Sequence, residues 1–196
     1  YMEHKALWGL AGEVDETQGA TLGQARTLRA GRHFTLVSWS KQVHACDQAC
    51  AQLAQQGIEA ELIDLRTLWP WDREAVLRSC AKTGRLLVVH EAVQAAGFGA
   101  EIAATAAEAT GCRVRRLGAP RIPVGYSPVL EAQSRVGVAD IVAAARRLPA
   151  ILAVEIDELQ IFLLGEGEST RFIKDSRGGM LGSHIYFWDI ARRLGA

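Results

Sequence analysis

Four short β-rich runs, set among stretches of helical spacing, decide most about this chain. "FTLVSW" (34–39), "AELIDL" (60–65), "RLLVV" (85–89) and "CRVRRL" (112–117) read as strands. Continuous apolar runs such as "LLVV" suit a sheet covered on both faces. Between them, residues 41–56 place apolar side chains at 43, 46, 50, 53 and 54, the stripe of an amphipathic helix, with Gly57 at its stop. Pro70 opposes helix before it, Asp72 can cap the next one, and Val76, Leu77, Cys80 and Ala81 form its apolar face up to Gly84. "FGAEIAATAAEAT" is a third helix, ended by Gly111.

The order β-α-β-α-β-α-β with short connections predicts parallel strands joined by right-handed helical crossovers. The expected fold is α/β, a three-layer α/β/α body around a mostly parallel open sheet. The proline-rich "GAPRIPVGYSPVLE" (118–131) should hold neither a central strand nor a helix and should cross the ends of the sheet as an ordered loop. A last helix, "VADIVAAARRL", closes a first domain at residues 1–148. Residues 149–196 change character and form an unassigned extension. "ILAVEIDELQIFLLGEGESTRFIKD" suggests a hairpin, and "HIYFWDIARRLGA" suits a helix or a strand.

Charge and composition exclude several classes. Lys plus Arg and Asp plus Glu both number 22, so no net field draws in nucleic acid or an anionic membrane. There is no apolar run long enough to span a bilayer and no leader pattern, so the expected setting is cytoplasmic and bacterial in type. The opening "YMEHKALWG" reads like the middle of a folded protein, as if cut from a longer one. Cys46, Cys50, Cys80 and Cys112 fall in helices or strands without disulfide-framework spacing, which favours buried thiols. His44, Cys46 and Cys50 could begin a zinc site, but Cys46 and Cys50 share their face with Val43, Leu53 and Ala54, and no second ligand pair is near. No metal is expected.

Gly97 and Gly99 precede a helix, where backbone N–H groups could hold an anion. A dinucleotide fingerprint needs a third glycine where Ile102 stands, and His90 to Ala96 separate the strand from Gly97. A geometric role is favoured: the glycines turn the chain sharply and let Phe98 pack on a neighbour. His90 and Glu91 end their strand at the carboxyl edge, where crevices form in parallel sheets. They could transfer protons, but adjacent strand residues face opposite ways, which favours a structural or partner-facing role. Trp8, Trp39, Trp69, Trp71 and Trp188 could line interfaces or the core.

Five segments then appear in register: "EHKALW" (3–8), "ATLGQARTLRAGRHFTLVSWS" (20–40), "GIEAELIDLRTLWPWD" (57–72), "KTGRLLVVHEAVQAAGFGAEIAA" (82–104) and "PVGYSPVLE" (123–131). Together they resemble the C-terminal, transketolase-like domain of the E1 β subunit of thiamine-diphosphate-dependent 2-oxo acid dehydrogenases acting on pyruvate, branched-chain 2-oxo acids or acetoin. The resemblance implies that thiamine diphosphate and Mg belong to the full E1 enzyme, with none bound to this chain. No catalytic or cofactor-binding residue is then expected here. The implied partners are a second E1 β subunit, E1 α subunits and the E2 acyltransferase core, with a homodimer for the isolated chain. His90, Glu91 and Phe98 carry over as interface candidates. Alternatives are a stand-alone binding or assembly module and a nucleotide-binding α/β protein. Two features depart from the family: "TGCRVRRL" lacks the acidic residue usual before that strand, and the chain continues from Pro149 to Ala196.

Overall fold

The structure, a computed structural model, describes residues 2–13, 19–148, 173–174 and 180–181. The chain divides into two units, Tyr1–Ile151 and Leu152–Ala196. In the first, one sheet is built from β1 (Arg26–Arg29), β2 (Phe34–Ser38), β3 (Ala60–Asp64), β4 (Arg85–Val93) and β5 (Arg113–Ala119). Their spatial order is β1-β3-β2-β4-β5. The last four run parallel, while β1 lies antiparallel on the edge against β3. β1 adds to the strands read from the sequence. "RTLR" is too short and charged to stand out, and its order comes from pairing with β3.

Helices α1 (Gln42–Ala54), α2 (Arg73–Thr83), α3 (Gly99–Thr110), α4 (Pro128–Gln133) and α5 (Val138–Arg146) complete the unit. Strand alternation divides the core in two. Phe34, Leu36, Leu62, Leu87 and Val89 pack with Cys46, Leu53 and Ile141 of α1 and α5. Val37, Ile63, Leu86 and Val88 pack with Val76, Cys80, Ile102 and Ala106 of α2 and α3. Each fully buried leucine or isoleucine in these layers contributes roughly 2 kcal/mol. This is the expected three-layer body.

Local chemistry sets the ends of the helices. Asp72 Oδ1 accepts the Ala75 N–H at 3.0 Å, and Asp72 Oδ2 accepts the Ala25 N–H at 2.9 Å, so one carboxylate caps α2 and holds the approach to β1. Gly84 (φ 67°) and Gly111 (φ 65°) close α2 and α3 in the left-handed conformation. Thr35, on the α2 side of β2, is bonded to Ser79 Oγ at 2.6 Å and Thr83 Oγ1 at 2.8 Å, which pairs three buried hydroxyls.

Two expectations need correction. The third parallel strand does not stop at Val89: β4 runs on to Val93, with a register shift between Val89 and Val93 against β5. The proline-rich passage does hold a helix, α4. Pro128 stands in its first turn, where its missing N–H costs nothing, and Ser127 Oγ accepts the Leu130 N–H at 3.3 Å.

In the second unit, the described residues are Ile173–Lys174 (β6) and Met180–Leu181 (β7), paired antiparallel. The hairpin expected from residue 151 onward and the helix or strand expected at 184–196 otherwise lie outside the described residues, as does Trp188.

Candidate functional site

Parallel strands deliver their last residues to one edge, and that edge holds the candidate side chains. β2 leads into Trp39, β4 carries His90 and Glu91, the turn before α2 supplies Trp71, and Phe98 sits at the entry to α3. The His90 ring stacks on Trp39 with centroids 5.3 Å apart and planes at 21°. Phe98 meets Trp39 and Trp71 edge-on, each at 6.2 Å. Trp39, Trp71 and Phe98 are half-buried, and His90 is wholly buried.

The imidazole has a defined tautomer. Its Nδ1 lies 3.0 Å from the Ala92 carbonyl, which can only accept, so Nδ1 carries the proton. Nε2 is then a bare acceptor, the only buried side-chain polar atom among the described residues without a partner. Burial lowers the pKa of His90; the Ala92 bond opposes this, and the charge of Arg116 adds to it. The ring is therefore neutral at neutral pH and has no proton to donate from Nε2.

Three glycines make room for this ring. A Cβ at Gly97 would lie 2.6 Å from His90 Cε1, one at Gly99 would lie 2.6 Å from Cδ2 and Nε2, and one at Gly118 would lie 2.8 Å from Cε1. The positive φ of the turn falls at Ala96 (60°), not at either glycine of the pair. What Gly97 and Gly99 provide is therefore close approach to the histidine rather than left-handed backbone. The distant Gly118 belongs to the same cradle through the pairing of β4 with β5. Gln94 fastens the turn: its N–H donates to the Ala119 carbonyl at 2.9 Å, its Oε1 accepts the Gly118 N–H at 3.3 Å, and its carbonyl accepts from Arg116 Nη1 at 3.1 Å.

This cradle does not fit a diphosphate or a nucleotide. The space beside Gly97 and Gly99 that a phosphate would need is filled by imidazole carbon and by an unprotonated nitrogen. Glu101 also places a carboxylate in the first turn of α3, against an anion at that end.

Glu91 points the other way from His90, as the alternation of a strand requires. Its carboxylate lies 3.2 Å from His4 Nε2 and 3.5 Å from Lys41 Nζ, joining the N-terminal segment to the start of α1. The three side chains are each about one-third exposed, so these contacts orient more than they stabilise. His90 and Glu91 thus do not converge on one site.

The sequence reading passed over a second feature of this edge. Ile122 (48% exposed), Val124 (69%), Tyr126 (103%), Val129 (74%) and Leu130 (52%) turn outward over a single segment after β5. Trp8 and Trp69 are also exposed. Such a run of apolar side chains through a proline-rich loop and into α4 was the available signal. The cysteines are elsewhere. All four are buried and unbridged, burial pushes the thiols of Cys46, Cys50 and Cys80 up to about 12, and His44 is exposed. Among the described residues, no three His, Cys, Asp or Glu side chains converge as metal ligands.

Comparison with known proteins places these observations. The sequence profile described as "Transketolase, C-terminal domain" matches residues 23–141. The β subunit of the acetoin:2,6-dichlorophenolindophenol oxidoreductase of Cupriavidus necator is 41% identical over 152 residues, 75% of this chain and 45% of that protein. The mitochondrial 2-oxoisovalerate dehydrogenase subunit beta 2 of Arabidopsis thaliana is 53% identical over 87 residues, 44% of this chain and 24% of that protein. The mitochondrial pyruvate dehydrogenase E1 component subunit beta of Dictyostelium discoideum is 35% identical over 140 residues, covering 69% and 39%. The chain thus spans less than half the length of each relative. Among solved structures, a split-gene transketolase described as an inactive beta4 tetramer superposes with a TM-score of 0.65 at 24% identity, over 71% of this chain and 46% of that one. That likeness shows the fold.

Proposed function

Because the chain belongs to the family of transketolase C-terminal domains, we propose that it serves as the C-terminal domain of an E1 β subunit in a thiamine-diphosphate-dependent 2-oxo acid dehydrogenase. In this role it builds the assembly and leaves the chemistry to other domains. Residues 1–148 are the assembling body, and 149–196 are an extension of it. The partners are a second β subunit, α subunits and the E2 acyltransferase, in a cytoplasmic complex.

The observation that carries this reading is the contrast at the carboxyl edge. The turn that could have cradled a phosphate is filled by His90, whereas Ile122, Val124, Tyr126, Val129 and Leu130 stand exposed beside it. An exposed apolar run of this size suits contact with protein rather than with a charged cofactor. Thiamine diphosphate and its Mg therefore belong to the part of the enzyme this chain does not span. His90 and Phe98 support an interface from within by fixing the turn, and Glu91 does so by holding the N-terminal segment. The relatives named above carry acetoin, 2-oxoisovalerate and pyruvate in their names, and the substrate of this protein belongs to the same class of small 2-oxo acids and their acyloin derivatives.

A graft tests the proposal. The C-terminal domain of the Cupriavidus necator β subunit is replaced by this chain, joined at "EHKALW" and co-expressed with the α subunit. The expected result is an assembled enzyme retaining at least a tenth of the parental turnover. A β chimera that folds but does not assemble with α would contradict it.

A further inference from the structure

Ion pairs are unevenly distributed over the first unit. Arg29 pairs with Asp47 at 2.5 Å, Arg32 with Glu59 at 3.1 Å, and Lys41 with Glu91 at 3.5 Å; Lys82 pairs with Glu61 and Arg135 with Glu131. The opposite edge of the sheet has no such pair among the described residues. There, Arg113, Arg115 and Arg116 of β5 line an open groove of about 620 Å³ with Arg147, Gln94, Val114 and Leu148, and among the described residues no carboxylate lines it. Among the described residues, two of these guanidinium groups donate to main-chain carbonyls: Arg115 Nη1 to Arg147 at 3.1 Å and Arg116 Nη1 to Gln94 at 3.1 Å.

β5 is also an open edge. Among the described residues it pairs with β4 alone, so alternate N–H and C=O groups point outward. Register puts Arg113 opposite Arg85 and Arg115 opposite Leu87, on the α1/α5 side, and Arg116 opposite Val88, on the α2/α3 side. Cations therefore flank both faces of the position an added strand would take. A second copy of β5 is disfavoured there, because its own arginines would be brought against these. Charge complementarity selects an acidic chain in extended form.

We propose that the β5 edge, with Arg113, Arg115, Arg116 and Arg147, is a docking site for an acidic extended peptide segment of a partner protein, which adds as a sixth strand. Backbone hydrogen bonds to β5 would supply register. Carboxylates at alternate positions would meet Arg113 and Arg115 on one face. This inference is independent of the proposed function.

The test uses the full 196-residue chain and a fluorescein-labelled heptapeptide of alternating glutamate and valine, read by fluorescence anisotropy at low salt. The expected result is saturable binding that weakens at least tenfold in the Arg113→Glu/Arg115→Glu variant and severalfold in Arg113→Glu alone. Far-UV circular dichroism of both variants should match the parent. Of two further heptapeptides, one N-methylated at its valines and one at its internal glutamates, the one whose methyl groups face β5 should bind at least tenfold more weakly. No binding up to millimolar peptide overturns the proposal. So does binding that survives both substitutions. Unweakened binding of both N-methylated peptides overturns strand addition, and displacement by inorganic phosphate at equal concentration would mark a simple anion site instead.

Discussion

The ends of β4 and β5 lie side by side on the sheet and do opposite things. After β4 the chain folds back over its last residues: His90 fills a hollow made by Gly97, Gly99 and Gly118, stacks on Trp39 and bonds the Ala92 carbonyl, while Gln94 fastens Gly118. Beyond β5 the chain turns its apolar side chains out, with Tyr126 fully exposed. Glycines before a helix suggest a ligand, and a proline-rich loop suggests a mere connector. Here the glycines serve an internal side chain and the loop offers the surface. The difference lies in what occupies the space next to the backbone, which composition alone does not show.

The largest effect should come from filling the closed end. In Gly99→Ala the new methyl would lie 2.6 Å from the His90 ring and 3.1 Å from Val88 Cγ1, and the ring, closely approached by Gly97 and Gly118 as well, has little room to yield. We expect a loss of about 3 kcal/mol in urea unfolding, the upper part of the overpacking range. The same change made in a His90→Ala background should cost less than about 1 kcal/mol, because the clash is gone. Equal costs in the two backgrounds would break the cradle account.

A smaller effect follows from protonation. Burial holds the pKa of His90 below its ordinary value, and Arg116 is the charged group facing it from β5, while Glu91 on its own strand points to the other face. The unfolded chain takes up a proton near pH 6.5 that the folded ring refuses. Stability contributed by the neutral ring is therefore complete above that pH, lost as pH falls below it, and no longer declining once the folded ring itself titrates. The slope should reach at most about 1.4 kcal/mol per pH unit. Chemical denaturation between pH 7.5 and 5.5 should show this slope in the parent and a flatter one in His90→Asn. Matching slopes would mean that the ring titrates freely.

How much of this was legible beforehand depends on the range of the interaction. β2, β3, α1, α2, α3 and α5 were readable because apolar spacing and the caps Asp72, Gly84 and Gly111 are local signals. β1 was not, since "RTLR" gains its order only from β3, far along the chain. α4 was masked by Pro128, whose effect on a helix depends on whether it stands in the first turn or inside. At the candidate site, the opposite facing of His90 and Glu91 followed from strand period. The role of Gly97 and Gly99 did not, because the ring they accommodate is His90 of β4, enclosed with Gly118 on β5 and Trp39 just after β2. The β5 arginines were visible as "RVRR", but that no carboxylate among the described residues lines their groove is a property of the assembled edge.

The open end supplies the smallest effect on folding and the most direct test of the account. Ile122→Lys, Val124→Lys and Tyr126→Lys together alter only exposed side chains, so the unfolding free energy of the triple variant should stay within about 1.5 kcal/mol of the parent, at most about 0.5 per site. Multi-angle light scattering of the full chain and of this variant is the decisive measurement. The account predicts a self-associated parent, dimeric or larger, and a folded, monomeric triple variant. A parent that stays monomeric at tens of micromolar, or a triple variant with unchanged mass, would contradict the claim that this segment is an assembly surface.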